Sequence, residues 1–253
     1  MKQILVIVVL LGVSHSLLGQ IKVMTIQQVH TELDDVMEII DTNFLKIQLI
    51  EVEKAYQQDS SVINQIRLGI IYHEIALNFG FFNKIYTGYS QKSINTMNEV
   101  LPKLDTELKN FKPFVLSYKA SSLSLLSGET RKLSFLKEAF EIFSQTTESY
   151  ASKFYAPEFM RGSVSENLPW FMFKKRRYAK KDFTSIIQKY EADNSYASAK
   201  IMSFTYWAWA MQHQSKKYRK IALNYLDKAI LLDPNYLAGR ERAEKLKAKL
   251  TQQ

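Results

Sequence analysis

The chain has 253 residues, 46% of them hydrophobic, and carries 34 Lys plus Arg against 25 Asp plus Glu for a formal charge of +9. That is enough apolar material for a core and argues against wholesale disorder. Eight glycines and five prolines are too few for the turns of an all-β sandwich; the lack of cysteine excludes disulfides, thiolate metal sites, a cysteine nucleophile and a lipidated cysteine anchor.

Residues Met1 to Gln20 have the layout of a secretory signal peptide. Lys2 supplies the positive start, Ile4 to Val13 is an uncharged apolar run, and Ser14, Ser16 and Gly19 are the small residues that follow. Cleavage is expected after Ser16 or Gly19, with residues 1–19 as the signal and 20–253 as a single domain. Ten apolar residues are too few to span a bilayer. The expected destination is the bacterial periplasm or the exterior.

From residue 25 onward, apolar residues recur every three or four positions, the spacing of one helix face. The first such stretch, Thr25 to Phe44, carries Val29, Leu33, Val36 and Ile40. Asn43 to Tyr56 and Ser61 to Phe79 follow, then Ser90 to Leu108 with an expected kink at Pro102. Pro113 to Leu126 opens on a first-turn proline and is expected to end at Gly128. Leu133 to Phe143, Pro157 to Leu168, Arg177 to Tyr190, Ser195 to Gln212, Tyr218 to Leu232 and Tyr236 to Leu250 complete the series. The longer loops are expected near Phe79 to Tyr89, Thr146 to Ala156 and Leu168 to Lys175. No useful length shows the alternation of a strand.

Near the C-terminal end, Ala222, Leu226, Ala229 and Pro234 stand at offsets 0, 4, 7 and 12. Tyr206, Trp209 and Ala210 precede them on the neighbouring helix. Small residues let paired helices approach, large ones fill the gap to the next pair, and proline stops the helix. This stretch resembles a tetratricopeptide repeat, with His213 where that family usually has tyrosine. Weaker matches lie at Leu68, Gly69 and Tyr72, at Leu116, Ala120, Leu123, Leu136 and Ala139, and at Ala179 and Phe183. The resemblance implies an all-α, right-handed α–α superhelix of about four to five helix pairs, closed by Tyr236 to Leu250 as a capping helix.

No catalytic, cofactor or metal site is expected. His30, His73 and His213 fall on separate helices, and His73-Glu74 lacks the second histidine of a zinc-protease helix because Leu77 stands in its place. There is no Gly-x-Ser-x-Gly elbow and no phosphate loop.

In the tetratricopeptide family one face of the first helix of each pair lines a concave groove. The resemblance places Phe204, Trp207 and Met211 there, with Ile66, Ile70 and His73 from one upstream unit and Phe114 and Ser117, followed by Ser121 and Ser124, from another. The function implied is a non-catalytic adaptor of the bacterial envelope that holds a protein segment in this groove. The alternative is a periplasmic component of a tripartite small-molecule uptake system that encloses an apolar ligand. A basic cluster, Lys174, Lys175, Arg176, Arg177, Lys180 and Lys181, abuts Trp170, Phe171 and Phe173. That mixture suits an anionic surface or lipid headgroups; export argues against nucleic acid.

Overall fold

Every hairpin of this chain sets a long helix against its sequence neighbour, and the second helix of each hairpin leads straight into the next. The computed structural model describes residues 23–252, so the segment read as an export signal lies outside the described residues. Those residues form eleven α-helices and no strand. No described helix is long and apolar enough to cross a membrane.

The helices are α1 (Ile26–Leu33), α2 (Thr42–Gln58), α3 (Val62–Phe79), α4 (Tyr89–Val100), α5 (Lys112–Thr130), α6 (Leu133–Tyr150), α7 (Ala156–Glu166), α8 (Phe173–Ala192), α9 (Ala199–Gln212), α10 (Arg219–Leu232) and α11 (Arg240–Thr251). Local chemistry sets several starts. Thr25 and Gln28 form a reciprocal capping box for α1, and the Asp41 carboxylate accepts the N–H groups of Asn43 and Phe44 at the head of α2.

Several boundaries differ from the periodicity; α6 runs on to Tyr150 and α11 starts only at Arg240, and three others have a clear local cause. The stretch 25–44 is not one helix: α1 stops at Leu33, and the chain turns through Glu38 at φ 52° before Asp41 starts α2. Pro102 ends α4 rather than bending it, since a residue without an N–H cannot extend the ladder; a 3-10 turn, Leu101–Lys103, follows. Gly128 lies inside α5, which runs on until Arg131 takes the left-handed cap at φ 59°.

Helices α3, α5, α7, α9 and α11 form an inner row, all pointing the same way. Side-chain contacts fix that direction. His73 of α3 meets Ser121 of α5 at 2.7 Å, and two turns later a Cβ on Gly128 would stand 3.0 Å from the Phe81 ring. Phe159 of α7 packs on Phe204 of α9 at 5.3 Å, and two turns on Gln212 donates to Glu166. Gly239, just before α11, donates its N–H to Ser203 of α9, and Arg242 then lies over Trp207. The tightest approach is at Gly239, where a Cβ would come within 2.5 Å of the Ser203 carbonyl oxygen, so only glycine fits. Helices α4, α6, α8 and α10 back the row, and α2 packs on the free side of α3. Ala222, Leu226, Ala229, Tyr206 and Ala210 are buried where α9, α10 and α11 meet.

A candidate ligand cavity on the inner helix row

The inner row encloses a cavity of about 660 Å³. Each wall helix contributes residues from successive turns. The deep end is polar: His73 and Glu74 of α3, Ser121 of α5, and Lys200 of α9. The rest of the lining is mixed, with the apolar Leu77, Leu125, Val164 and Ile201 beside the polar Asn78, Ser127 and Asn167. A pocket of this size and mixed lining is of the kind that holds a small molecule.

The floor is laid by the turn between α1 and α2, which folds back over the deep ends of the inner helices. Lys200 fastens it, donating to the carbonyl oxygens of Asp34 at 2.5 Å and Met37 at 2.9 Å, with the Asp34 carboxylate at 3.3 Å. Arg67 holds the same turn from α3 through the Glu32 carbonyl and the Asp35 carboxylate. Within the turn Glu38 takes a left-handed backbone, which is costly for a residue with a side chain. Its half-buried carboxyl lines the cavity. Burial, with the Glu74 charge nearby, pushes the Glu38 carboxyl up to about 8, so it is largely protonated at neutral pH.

Around it runs a hydrogen-bond chain. Nδ1 of His73 lies 3.2 Å from Glu74 Oε1, and Nε2 lies 2.7 Å from Ser121 Oγ, with all three side chains buried. The tautomer that satisfies the Glu74 carboxylate puts the proton on Nδ1, so Nε2 accepts from the serine hydroxyl. The order matches a nucleophilic serine, but Ser121 sits in the middle of α5, where the backbone N–H groups are spent on the helix ladder. The backbone N–H groups around Ser121 therefore form no oxyanion hole. The Tyr118 hydroxyl is buried beside the Glu38 carboxyl. Among the described residues, no cluster of three or more His, Asp or Glu side chains could hold a metal ion.

Of the groove residues expected from the sequence, the cavity takes up His73 and Phe204, as well as Ser121 and Ser124. Trp207 and Met211 are half-buried further along α9. Ile66, Ile70, Phe114 and Ser117 are a correction: they are fully buried in the core and present no groove. The α1 segment lies across that end, with His30 packed edge-on to Phe114 at 5.6 Å. Glu38, Glu74, Lys200 and Arg242 are cavity residues that periodicity missed. A carboxylate such as Glu74 beside His73 on an otherwise apolar helix was the one visible sign.

The basic cluster is divided. Lys174, Arg177, Lys180 and Lys181 are exposed. Lys175 lies over the Phe140 ring at 4.1 Å, and Arg176 turns inward to the Leu168 carbonyl. Trp170 is 83% exposed, and Phe171 and Phe173 are exposed beside it. They flank Pro169 and Met172, which line the cavity, so aromatic and basic side chains stand at its mouth.

No family model matches the chain, and neither a curated protein nor a solved structure matches it.

Proposed function

We propose that this chain is an exported, non-catalytic binding protein whose helix pairs coil in the right-handed manner of tetratricopeptide repeats and whose cavity holds an amphiphilic small molecule. The observation that carries this reading is the mixed lining of the cavity, where the buried hydrogen-bonding groups of His73, Glu74 and Ser121 stand among many apolar side chains. A ligand with a polar head and an apolar body satisfies both kinds of group at once. A protein segment laid along an open groove fits less well, because the turn at residues 34–40 occupies part of the inner face.

The exposed Trp170, Phe171 and Phe173, with Lys174 and Arg177 beside them, favour an anionic lipid surface as the place where the mouth meets its ligand.

The test is titration with the apolar fluorescent probe N-phenyl-1-naphthylamine. Saturable binding by the full protein is expected, and Ser124→Trp, which fills the cavity from α5, should abolish it while the circular dichroism stays helical. Binding that survives Ser124→Trp overturns the assignment of this cavity.

A further inference from the structure

We infer that the chain docks on an anionic bilayer along one whole edge of the molecule, where a second apolar finger, residues 80–88, enters the headgroup layer together with the turn at residues 169–173. This rests on the lipid reading of Trp170, Phe171 and Phe173 above and extends it from one turn to four.

Topology gathers the surface. The inner helices all point one way, so the turns that leave α3, α5, α7 and α9 fall at the same edge. Contacts tie them together. Phe81 of the first turn lies against Gly128 near the end of α5, Lys175 of the third lies over Phe140 of α6, and Gln212, just before the fourth, donates to Glu166 at the end of α7. The first three turns also line the cavity, through Phe81, Leu133, Pro169 and Met172.

Charge selects the partner. Residues 80–88, 130–134, 167–177 and 213–220 hold one, two, four and four Lys or Arg in turn, and no Asp or Glu. Eight of these cations are exposed, among them Lys84, Arg131, Lys132, Lys216 and Lys217. Among the described residues none of the eight forms an ion pair. The acids nearest these turns are engaged within the protein: Glu129 with Ser90, Glu166 with Gln212 and Asp182 with Arg161. The opposite edge is mixed, with exposed Asp59, Asp105, Glu107 and Asp193 as well as Lys103 and Lys153. A basic edge facing a mixed one both attracts an anionic lipid surface and orients the molecule on it.

The finger supplies the apolar part. Within residues 80–88 the side chains are placed the wrong way round for water. Tyr86 packs inward on Phe79 and Tyr89, with ring centroids 4.9 and 5.7 Å apart, whereas Phe82 is 87% exposed and Ile85 79%. The segment is braced, since Asn83 caps the 3-10 turn Lys84–Tyr86 and Gly88 takes the left-handed φ of 88° from which α4 starts. Phe82 and Ile85 are thus held outward on a built turn, as Trp170 and Phe171 are on theirs. On the opposite edge, large exposed apolar side chains are confined to the turn before α11, at Leu231, Tyr236 and Leu237. Apolar tips flanked by lysine fit the boundary between headgroups and acyl chains. Set down on this edge, the cavity abuts the headgroup layer, and an apolar ligand passes between the two without crossing bulk water.

The chain has no cysteine, so a single one can be introduced and labelled with the polarity-sensitive fluorophore nitrobenzoxadiazole. Labelled Phe82→Cys, Trp170→Cys and Ser60→Cys forms of the full chain are mixed with phosphatidylcholine vesicles with or without phosphatidylserine. The first two labels should brighten, shift to the blue and be quenched by nitroxide lipids on the phosphatidylserine vesicles; the label on the opposite edge, in Ser60→Cys, should stay unchanged. In the unlabelled chain, Phe82→Ser with Ile85→Ser should weaken vesicle binding about tenfold and leave binding of N-phenyl-1-naphthylamine, measured without vesicles, intact. A response in Trp170→Cys with none in Phe82→Cys, or full vesicle binding by the double serine variant, overturns the second finger and leaves the lipid reading of the mouth standing. Silence of both labels overturns the two together. An equal response on vesicles without phosphatidylserine overturns the anionic partner, and a response in Ser60→Cys overturns the orientation.

Discussion

The Arg161 guanidinium clasps the Asp182 carboxylate through two parallel hydrogen bonds, Nε to Oδ2 at 2.8 Å and Nη2 to Oδ1 at 2.7 Å, joining α7 to α8 with both side chains buried. The Tyr178 ring lies 4.3 Å from the guanidinium carbon. Such a pair gains little over apolar residues of the same volume, but removing one partner strands the other charge. Asp182→Ala should therefore lower unfolding free energy by about 3–5 kcal/mol in urea denaturation. The double replacement Arg161→Met with Asp182→Leu should recover most of that loss. Additive losses in the double variant would contradict the mechanism.

Glu38 makes stability depend on pH in an identifiable direction. Its carboxyl is raised from 4.5 to about 8 in the fold, by burial first and by Glu74 second. The native state thus binds the proton more tightly than the unfolded chain does. The stability linked to that proton is complete below about 4.5 and is lost as pH rises through about 8. Glu38→Gln cannot ionise, so its melting temperature should exceed that of the parent at pH 9 and approach it at pH 4.5. A difference that does not grow with pH would show that the carboxyl ionises freely in the fold.

Gly239 tests how closely α11 must approach α9. Its φ of −91° suits any residue, so the constraint is space: the Ser203 backbone lies where a Cβ would go. Backbone cannot swing aside as a side chain can. Gly239→Ala should cost about 1–3 kcal/mol and loosen α11, read as faster amide exchange over residues 240–250. Unchanged exchange there would mean that the contact is absorbed elsewhere.

The mouth should bind anionic bilayers. Co-sedimentation with phosphatidylserine vesicles is expected at low salt and should weaken as salt screens the lysines. Trp170→Ala with Phe171→Ala should reduce binding at every salt concentration, and Lys174→Glu with Arg177→Glu should reduce it mainly at low salt. Equal binding to neutral phosphatidylcholine vesicles would remove the electrostatic part of the proposal.

Periodicity was sufficient to locate the helices because each buries a continuous stripe, and the stripe at Ala222, Leu226 and Ala229 is fully buried. It failed at residues 34–40, where Val36, Met37 and Ile39 are buried without being helical. There the apolar residues serve a folded-back turn, and a turn pinned by Lys200 leaves no local mark. The cavity was half legible for the same reason. Ser121 and Ser124 share a face of α5 that can be counted out, as His73 can on α3, whereas the groups around Glu38 come from α3, α5, α9 and α11 and are joined only by the tertiary fold.

That long-range fastening sets an order of events. Lys200 lies more than 160 positions beyond the carbonyl groups it secures, so closing the loop must wait for distant chain to arrive. On a ribosome, the early hairpins can stack while the α1–α2 turn is held by Arg67 of α3 alone, and its second fastening waits until α9 emerges. The α9 side of the cavity is therefore completed late, and a product truncated before residue 200 would keep the Arg67 fastening of the turn and lack the Lys200 one.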